Sequence, residues 1–302
     1  MRQILTGGEN RSGTTLLSLI LNSHPDLCVG PDLDFVEPVN LGTHTLEAIA
    51  LVAARDPSAV GPGTASGDPF WYDAAHFVKQ CERFGATYTE LAELIERHRK
   101  RSRGNLVGLR DRCALITELG ESRAHATDAS AWGIKLQRKI KDVDLYADIW
   151  PEARFIHIIR DGRDVLASHL HTVPDWGHKN IEVAARDWSE IIAFARHRAP
   201  TDRYIEVRYE DLVTTPEAVT KNMCDFLEIT WAPAMTRHHE LDHPLHHKPW
   251  SHPAAEQTKQ PLTTNAIGRY RNELDPDTIA AYEGIAGEVL ASCGYETEPR
   301  LG

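Results

Sequence analysis

The feature that most constrains this chain is a glycine-framed segment close to residue 1, Gly8-Glu9-Asn10-Arg11-Ser12-Gly13-Thr14-Thr15. It fits the phosphate-loop pattern G-x-x-x-x-G-K-[ST] at every fixed position but one. Before it, Gln3–Thr6 predicts a short strand, and after it Thr14–Leu21 predicts a buried helix that ends before Pro25. A glycine loop that opens a helix offers backbone N–H groups and the positive end of a helix dipole to a phosphate ester. The loop therefore predicts a nucleotide ligand.

The one departure from the pattern restricts the chemistry. Thr14 stands where phosphoryl-transfer enzymes carry a lysine that neutralises charge between the β- and γ-phosphates. Without that lysine, transfer of a γ-phosphoryl group is disfavoured. A phosphotransferase remains an alternative, and it should require both Mg²⁺ and the lysine that this loop lacks.

A second segment predicts another part of the same site. Arg154–Ile159 is an apolar, β-branched run typical of a buried parallel strand, and Arg160-Asp161-Gly162-Arg163-Asp164 leads from it into a helix that starts at Val165. Ligands of open α/β sheets bind at the carboxyl ends of the strands, where Arg160 lies. We expect Arg160 and the hydroxyl of Ser168, about two helical turns further on, to converge on one anion. The alternative is a charge-rich, solvated turn.

The two segments together resemble those of the sulfotransferases that use 3′-phosphoadenosine 5′-phosphosulfate (PAPS), particularly the bacterial and tyrosylprotein-type branch. The resemblance implies that the second segment is the 3′-phosphate site, formed by Arg160 and Ser168. It implies that the first segment is the 5′-phosphosulfate loop, carried by Arg11, Ser12, Gly13, Thr14 and Thr15.

Three further matches extend the resemblance along the whole chain. Lys135 follows Trp132-Gly133-Ile134 where the family has its catalytic lysine, and Tyr209 opens a Y-E-D-L segment whose tyrosine lies near the nucleotide. Gly268-Arg269-Tyr270 resembles the carboxyl-terminal loop that closes over the cofactor, which adds Gly268 and Arg269 to the implied cofactor site. The implied α/β fold is a P-loop-type three-layer fold, with a central parallel sheet flanked by helices, a helical insertion and a carboxyl-terminal lid loop.

The chemistry of sulfuryl transfer requires cations and a general base. It is an in-line displacement, so positioning and cationic stabilisation of the leaving oxygen do most of the work, as in phosphoryl transfer. Arg11 and Lys135 are the candidate cations. A sulfuryl group carries less negative charge than a terminal phosphoryl group, so we expect no metal requirement.

The resemblance places the general base at Asp32, where related enzymes usually have glutamate. Aspartate is one methylene shorter, and a misplacement of about 1 Å is costly in a catalytic site. Asp34 or a histidine therefore remains an alternative base. The alternative for Asp32 is a turn residue after Gly30-Pro31, where aspartate is common.

Size, charge and cysteines limit the partners. The 302 residues, 41% of them hydrophobic, suffice for a single domain over residues 1–302. A net charge of −11 argues against nucleic acid or an anionic membrane as the main partner. Five scattered cysteines, no signal peptide at the start and no apolar run of about 20 residues predict a cytoplasmic protein with reduced thiols and no membrane span.

Periodicity predicts the remaining elements. Residues 73–103 have a helix-like pattern with Gly85 as a candidate break, and a loop over Pro57–Pro69 precedes it. The aromatic run Phe70-Trp71-Tyr72 is expected either in the acceptor wall or in the ordinary core. The other predicted strands and helices are Trp132–Leu136, Val143–Ile149, Ile181–Arg198, Arg203–Val207 and Pro216–Leu227.

A rival pattern lies in a histidine-crowded segment, residues 237–253. His239-Glu240-Leu241-Asp242-His243 matches H-E-x-x-H, the helix motif of zinc proteases. Pro244 follows at once and should stop the helix that the motif requires. Since this part of the chain is also rich in proline, it predicts a flexible, polar lid without regular structure, and no metal site.

The sequence as a whole predicts a sulfotransferase that moves the sulfuryl group from PAPS to a hydroxyl or amine of a small-molecule or glycan acceptor, leaving adenosine 3′,5′-bisphosphate. A non-catalytic nucleotide-binding module is a further alternative, because it would keep Arg160 and Ser168 without a need for Lys135 or Asp32. The acceptor's identity and the oligomeric state stay open.

Overall fold

The computed structural model describes residues 1–33, 42–54, 69–102, 106–172, 177–246 and 255–297. Within these residues the chain forms one five-stranded sheet in the order β2-β3-β1-β4-β5, and each neighbouring pair is parallel. The strands are β1 (Arg2–Gly7), β2 (Leu27–Asp32), β3 (Ala131–Gln137), β4 (Arg154–Ile159) and β5 (Tyr204–Arg208).

Helices connect the strands and cover the sheet. The first part of the chain supplies α1 (Thr14–Asn22), α2 (Thr43–Ala53), α3 (Pro69–Arg83), α4 (Tyr88–Ser102), α5 (Leu109–Ala126) and α6 (Val143–Ile149). The second part supplies α7 (Gly162–Thr172), α8 (Ile181–Arg198), α9 (Tyr209–Thr214), α10 (Pro216–Leu227), α11 (Ala255–Thr258), α12 (Tyr270–Glu273) and α13 (Pro276–Ser292).

Alternation along the central strands divides the core into layers. Ile4 and Ile156 pack with α1 and α10 on one face of the sheet, whereas Leu5 and Phe155 pack with α5 and α6 on the other. A third cluster joins α7, α8 and α13 at the end of β4. Because both faces are covered, the inner strands β1, β3 and β4 are buried along nearly their whole length, as expected for a parallel sheet.

The predicted fold class, a parallel sheet flanked by helices, is confirmed. Four predicted elements have the observed bounds: Arg154–Ile159, Val143–Ile149, Ile181–Arg198 and Pro216–Leu227. Gly85, with φ +89°, lies between α3 and α4, so the predicted break is also confirmed. All five cysteines are buried and free. None of the described helices has the length and apolarity needed to cross a bilayer.

The start of α7 was predicted too late. The helix begins at Gly162 rather than Val165 because the Asp161 carboxylate accepts a hydrogen bond from the backbone N–H of Arg163, at 2.9 Å. Asp161 therefore caps the helix, and the segment read as a turn is its first turn. The Pro57–Pro69 loop lies outside the described residues except for Pro69, which starts α3.

The missed elements are the strand β2 and the helices α2, α5, α9, α11, α12 and α13. The strand β2 was not predicted because Gly30-Pro31 is a typical turn signal. Proline is tolerated here since β2 is an edge strand. In α5, burial of Arg112 and Arg123 interrupts any apolar stripe. A signal was available for α13, because Asp275 accepts a hydrogen bond from Thr278 N at 2.8 Å and Pro276 occupies the first turn.

Candidate active site

The glycine loop between β1 and α1 has the backbone of an anion cradle. Gly8 approaches the neighbouring strand so closely that a Cβ would lie 2.3 Å from the carbonyl oxygen of Ile158. Gly13 has φ +96°, and a Cβ there would meet the Tyr209 ring at 2.8 Å. Helix α1 begins at the next residue without a side-chain cap, which leaves its first N–H groups available to a ligand.

Arg11 connects this loop to the second predicted segment. Its Nε donates to the Ser168 hydroxyl at 3.0 Å, and its carbonyl oxygen accepts from Arg160 Nη1 at 3.1 Å. Burial, together with the charges of Arg160 and Arg269, lowers the pKa of Arg11. The two segments predicted to bind anions therefore touch at one edge of the sheet, where cationic charge is concentrated.

Arg160 is held where β4 ends. Trp188 Nε1 donates to its carbonyl oxygen at 3.1 Å, and its guanidinium lies 4.8 Å from the centroid of the Tyr209 ring. The guanidinium also donates to the carbonyl oxygen of Ala266, in the carboxyl-terminal loop. Arg160 thus contacts three of the predicted segments at once.

The carboxyl-terminal loop is fastened to the start of α7 by Asp164. The two carboxylate oxygens of Asp164 accept hydrogen bonds from the backbone N–H groups of Gly268, at 2.8 Å, and Tyr270, at 3.0 Å. Arg269 pairs with Glu273 at 2.7 Å. Sequence reasoning did not assign this role to Asp164, although it is the second aspartate of the R-D-G-R-D segment.

Lys135 and Asp32 meet on adjacent strands. Their Cα atoms are register partners between β3 and β2, and Lys135 Nζ lies 3.1 Å from Asp32 Oδ1 and donates to Thr15 Oγ1 at 3.1 Å. Gln137 Nε2 donates to the second oxygen of Asp32 at 2.5 Å. Both charged side chains are buried. The structure therefore joins the predicted lysine and the predicted base to the end of the phosphate loop, and Asp32 ends a strand rather than forming a turn.

Other candidates fall outside the described residues. These are Asp34 and the side chains of Phe70, Trp71 and Tyr72, together with His247 and His252.

A cavity of about 290 Å³ opens beside Lys135 and Thr15. It runs along the edge strand β2, where Gly30 and Pro31 form one wall. The remaining walls come from α1, from the end of α3 at Arg83-Phe84-Gly85, from the end of α5, and from residues 242–244. His243 therefore borders the same cavity as Lys135.

The histidine-rich segment differs from its prediction. Its described residues form 3-10 helices at Pro233–Glu240 and Pro244–His246, so the absence of regular structure was wrong. His238 is fully buried, and burial lowers its pKa to about 4. His243 Nε2 is hydrogen-bonded to the His238 carbonyl at 3.0 Å. The H-E-x-x-H residues are thus not on an α-helix, and in the described part of this segment no three side chains form a metal-ligand group.

Comparison with known proteins identifies the family. A family profile described as "Sulfotransferase family" matches residues 3–233. A protein-tyrosine sulfotransferase of Drosophila melanogaster is 21% identical over 305 residues, covering 98% of this chain and 52% of that protein. Protein-tyrosine sulfotransferase 1 of Danio rerio is 21% identical over 303 residues, covering 98% of this chain and 73% of that protein. The chain thus spans about half the length of the first relative and about three quarters of the second.

Solved structures agree on the fold. The sulfotransferase domain of the Synechococcus PCC 7002 olefin synthase has a TM-score of 0.65 and 19% identity, covering 99% of this chain and 96% of that domain. The sulfotransferase domain from the curacin biosynthetic pathway has a TM-score of 0.66 and 16% identity, covering 99% and 98%. Because the family profile matches about three quarters of this chain, the chain belongs to the sulfotransferase family.

Proposed function

We propose that this protein transfers a sulfuryl group from PAPS to a hydroxyl or amine acceptor by in-line displacement. The observation that carries the proposal is the contact of Arg11 with both Ser168 and Arg160, 3.0 and 3.1 Å away, in a loop whose Thr15 accepts from the buried Lys135. These contacts bring two anion-binding segments to one edge of the sheet. A donor with phosphate groups at both the 3′ and 5′ positions needs such a pair.

The residues fit a doubly anionic nucleotide. Ser12 Oγ is buried and has no hydrogen-bond partner among the described residues, and a phosphate oxygen would supply one. In this proposal the 5′-phosphosulfate is held by Arg11, Ser12, Gly13, Thr14 and Thr15. Arg160 and Ser168 hold the 3′-phosphate, and Tyr209, Gly268 and Arg269 line the nucleotide.

Bound PAPS supplies an electrophilic sulfur whose bond to the bridging 5′-phosphate oxygen breaks as the acceptor attacks. Lys135 and Arg11 stabilise the negative charge that develops on the leaving oxygen. Asp32 takes the proton of the acceptor, and its carboxylate is oriented by Lys135 and Gln137, 3.1 and 2.5 Å away. The residues in this scheme need no metal ion.

The acceptor occupies the cavity along β2 in this proposal. Its volume of about 290 Å³ fits a small molecule, one sugar unit or a single side chain. The named relatives act on protein tyrosine, so a tyrosyl peptide belongs in an acceptor panel beside small alcohols, phenols and glycans. A single domain over residues 1–302, a cytoplasmic location and the absence of a nucleic-acid partner stay predictions.

A binding and turnover experiment tests the proposal. We expect adenosine 3′,5′-bisphosphate at 100 times its dissociation constant to stabilise the protein by about 2.7 kcal/mol, with no comparable effect of ATP and Mg²⁺. Incubation with PAPS and the acceptor panel should then release the bisphosphate. Stabilisation by ATP and Mg²⁺ alone would favour the phosphotransferase instead. Tight bisphosphate binding without any transfer would favour a nucleotide-binding module.

A further inference from the structure

Glu9, the second residue of the glycine loop, is a buried acid that the proposed reaction does not use. Its side chain is only 3% exposed. One carboxylate oxygen accepts a hydrogen bond from the backbone N–H of Asn10 at 2.8 Å. The other has no hydrogen-bond partner among the described residues and lies 3.4 Å from Arg138 Nε. A buried oxygen in that position is costly while the group is charged, unless it gains a proton or a donor.

The loop is held from the other side by His169, which follows Ser168 on α7. The His169 ring also lies against the backbone of Asn10, while His169 Nδ1 accepts from the backbone N–H of His178 at 3.2 Å. Glu9 and His169 therefore contact the backbone of Asn10 from two sides. The next residue is Arg11, whose φ of +71° is a left-handed conformation that a non-glycine residue adopts only when its surroundings hold it there.

Several charged or titratable groups surround Glu9. Arg138 also pairs with Asp187 on α8, and His178 Nε2 lies 3.5 Å from the same carboxylate. The groups that act on Glu9 or pack around it are Arg138 and Lys141 from the turn after β3, His169 from α7, His178, Asp187 from α8 and Tyr282 from α13.

The cluster invites comparison with a metal centre, because ligand atoms of Glu9, His169 and His178 lie within 4.8 Å of one another. Two observations oppose this assignment. The Arg138 guanidinium already supplies a cation beside Glu9, with Nε 3.4 Å from one carboxylate oxygen. A neutral His169 that accepts a hydrogen bond at Nδ1 carries its proton on Nε2, so that nitrogen has no lone pair for a metal.

The charges and the burial around Glu9 favour a proton on its carboxyl group rather than a metal ion. Burial raises the pKa of Glu9 to about 7, Asp187 adds to the effect, and Arg138 opposes it. An anion bound on the adjoining N–H groups of the loop repels a negative charge on Glu9, so it favours the protonated carboxyl further. Protonation of Glu9 must then raise the affinity for the anion by the same factor by which the bound anion raises the affinity of Glu9 for a proton.

We propose that Glu9 positions Arg11 in the glycine loop and takes up one proton from solvent when the anionic cofactor binds. This inference rests on the proposed function, since it needs a phosphate-bearing ligand in the loop. It makes cofactor affinity decrease with rising pH above neutrality. The decrease approaches about tenfold per pH unit where a full proton is taken up.

The test is calorimetry with adenosine 3′,5′-bisphosphate between pH 7.5 and 9, where the ligand's phosphates, with pKa near 6, are already ionised. Titrations in buffers of different ionisation enthalpy give the protons taken up per ligand. We expect wild type to take up a measurable fraction of a proton and Glu9→Gln to take up none, with an affinity that no longer depends on pH. Glu90→Gln is the matched control, because Glu90 also accepts from a backbone N–H and pairs with an arginine.

Two further variants separate positioning from charge. Glu9→Gln keeps the acceptor for Asn10 N and should keep most of the affinity, whereas Glu9→Ala should lose about tenfold. Arg138→Ala removes the cation that lowers the pKa of Glu9, so the midpoint of the affinity curve should move to higher pH. That shift tests the proposal even if the Glu9 variants fold poorly.

Three results would overturn the inference. Equal proton uptake in wild type and a folded Glu9→Gln variant removes Glu9 as the proton acceptor while leaving the proposed function intact. One Zn²⁺ or Mn²⁺ bound per chain, and lost in His178→Ala, assigns the cluster as a metal centre. No bisphosphate binding by wild type ends the proposed function and this inference together.

Discussion

The proposed nucleotide side and the proposed acceptor side of this site are built differently. On the nucleotide side, three chain segments interlock through arginine and backbone contacts, as when Arg160 binds the Arg11 carbonyl and Asp164 binds two N–H groups of the carboxyl-terminal loop. On the acceptor side, a cavity lies between an edge strand and the ends of two helices, with an apolar wall from Gly30, Pro31 and Phe84.

This difference distinguishes donor recognition, which the scaffold keeps, from acceptor recognition, which can differ between proteins with the same fold. Recognition of phosphate and sulfate needs cations and N–H groups at fixed positions, and short contiguous segments provide them. An acceptor is recognised by shape, which residues from distant helices supply, so the same scaffold serves different acceptors. Lys135 lies at the boundary, since it contacts Thr15 of the loop and also borders the cavity.

The largest effect is expected from Lys135→Met at that boundary. Loss of the ammonium should lower turnover by about 10²- to 10³-fold, because charge on the leaving oxygen loses its stabilisation. Bisphosphate affinity should change only a few-fold. Steady-state kinetics and calorimetry measure the two, with exposed Lys221→Ala as the control. If turnover persists in a folded variant, Lys135 is not part of the chemistry.

The second-largest effect is expected from Asp32→Asn, which should lower turnover about 10²-fold or more through loss of the base. Cofactor affinity should stay close to that of wild type, which calorimetry with the bisphosphate checks. Asp128→Asn, an exposed carboxylate outside the site, is the control. Normal turnover in Asp32→Asn would shift attention to Asp34 or His243, and His243→Ala then decides whether the histidine serves as base.

Arg160→Ala tests the nucleotide side alone. Loss of a charge-assisted contact to the 3′-phosphate should weaken bisphosphate binding about 10- to 100-fold, while turnover at saturating cofactor changes less. Arg154→Ala is a matched control at the opposite end of the same strand, where the arginine pairs with Glu228. Equal bisphosphate affinity in wild type and Arg160→Ala would contradict the 3′-phosphate assignment.

Gly30→Ala tests the acceptor side and should have the smallest effect. A Cβ at this position would lie 2.4 Å from the Phe84 ring, so the ring has to shift within the wall of the cavity. We expect a few-fold change in the acceptor KM and an unchanged bisphosphate affinity. Gly284→Ala, where a Cβ meets nothing within 4 Å, is the control. A change in bisphosphate affinity alone would break the proposed division into two sides.

Local patterns were enough to predict the elements around the glycine loop and the strand before Arg160, whereas Tyr209, Gly268 and Arg269 were assigned by resemblance to a family. The glycine loop, the strand Arg154–Ile159 and the helices after it are each defined by neighbours in sequence, because apolar periodicity, glycine and proline act over a few residues. The lysine and aspartate were placed by resemblance to a family. Local patterns predicted the strand that holds Lys135, whereas the strand that ends at Asp32 was missed.

Tertiary structure alone decided the contacts that make these segments one site. Arg11 meets Ser168 across 157 residues, Asp164 meets Gly268 across 104, and Lys135 meets Asp32 through strand register. The strand β2 and the helix α5 were missed because a proline at a sheet edge and arginines buried in a helix are tolerated only where distant elements pack around them. Such pairings depend on which surfaces the fold brings together, and no local pattern records them.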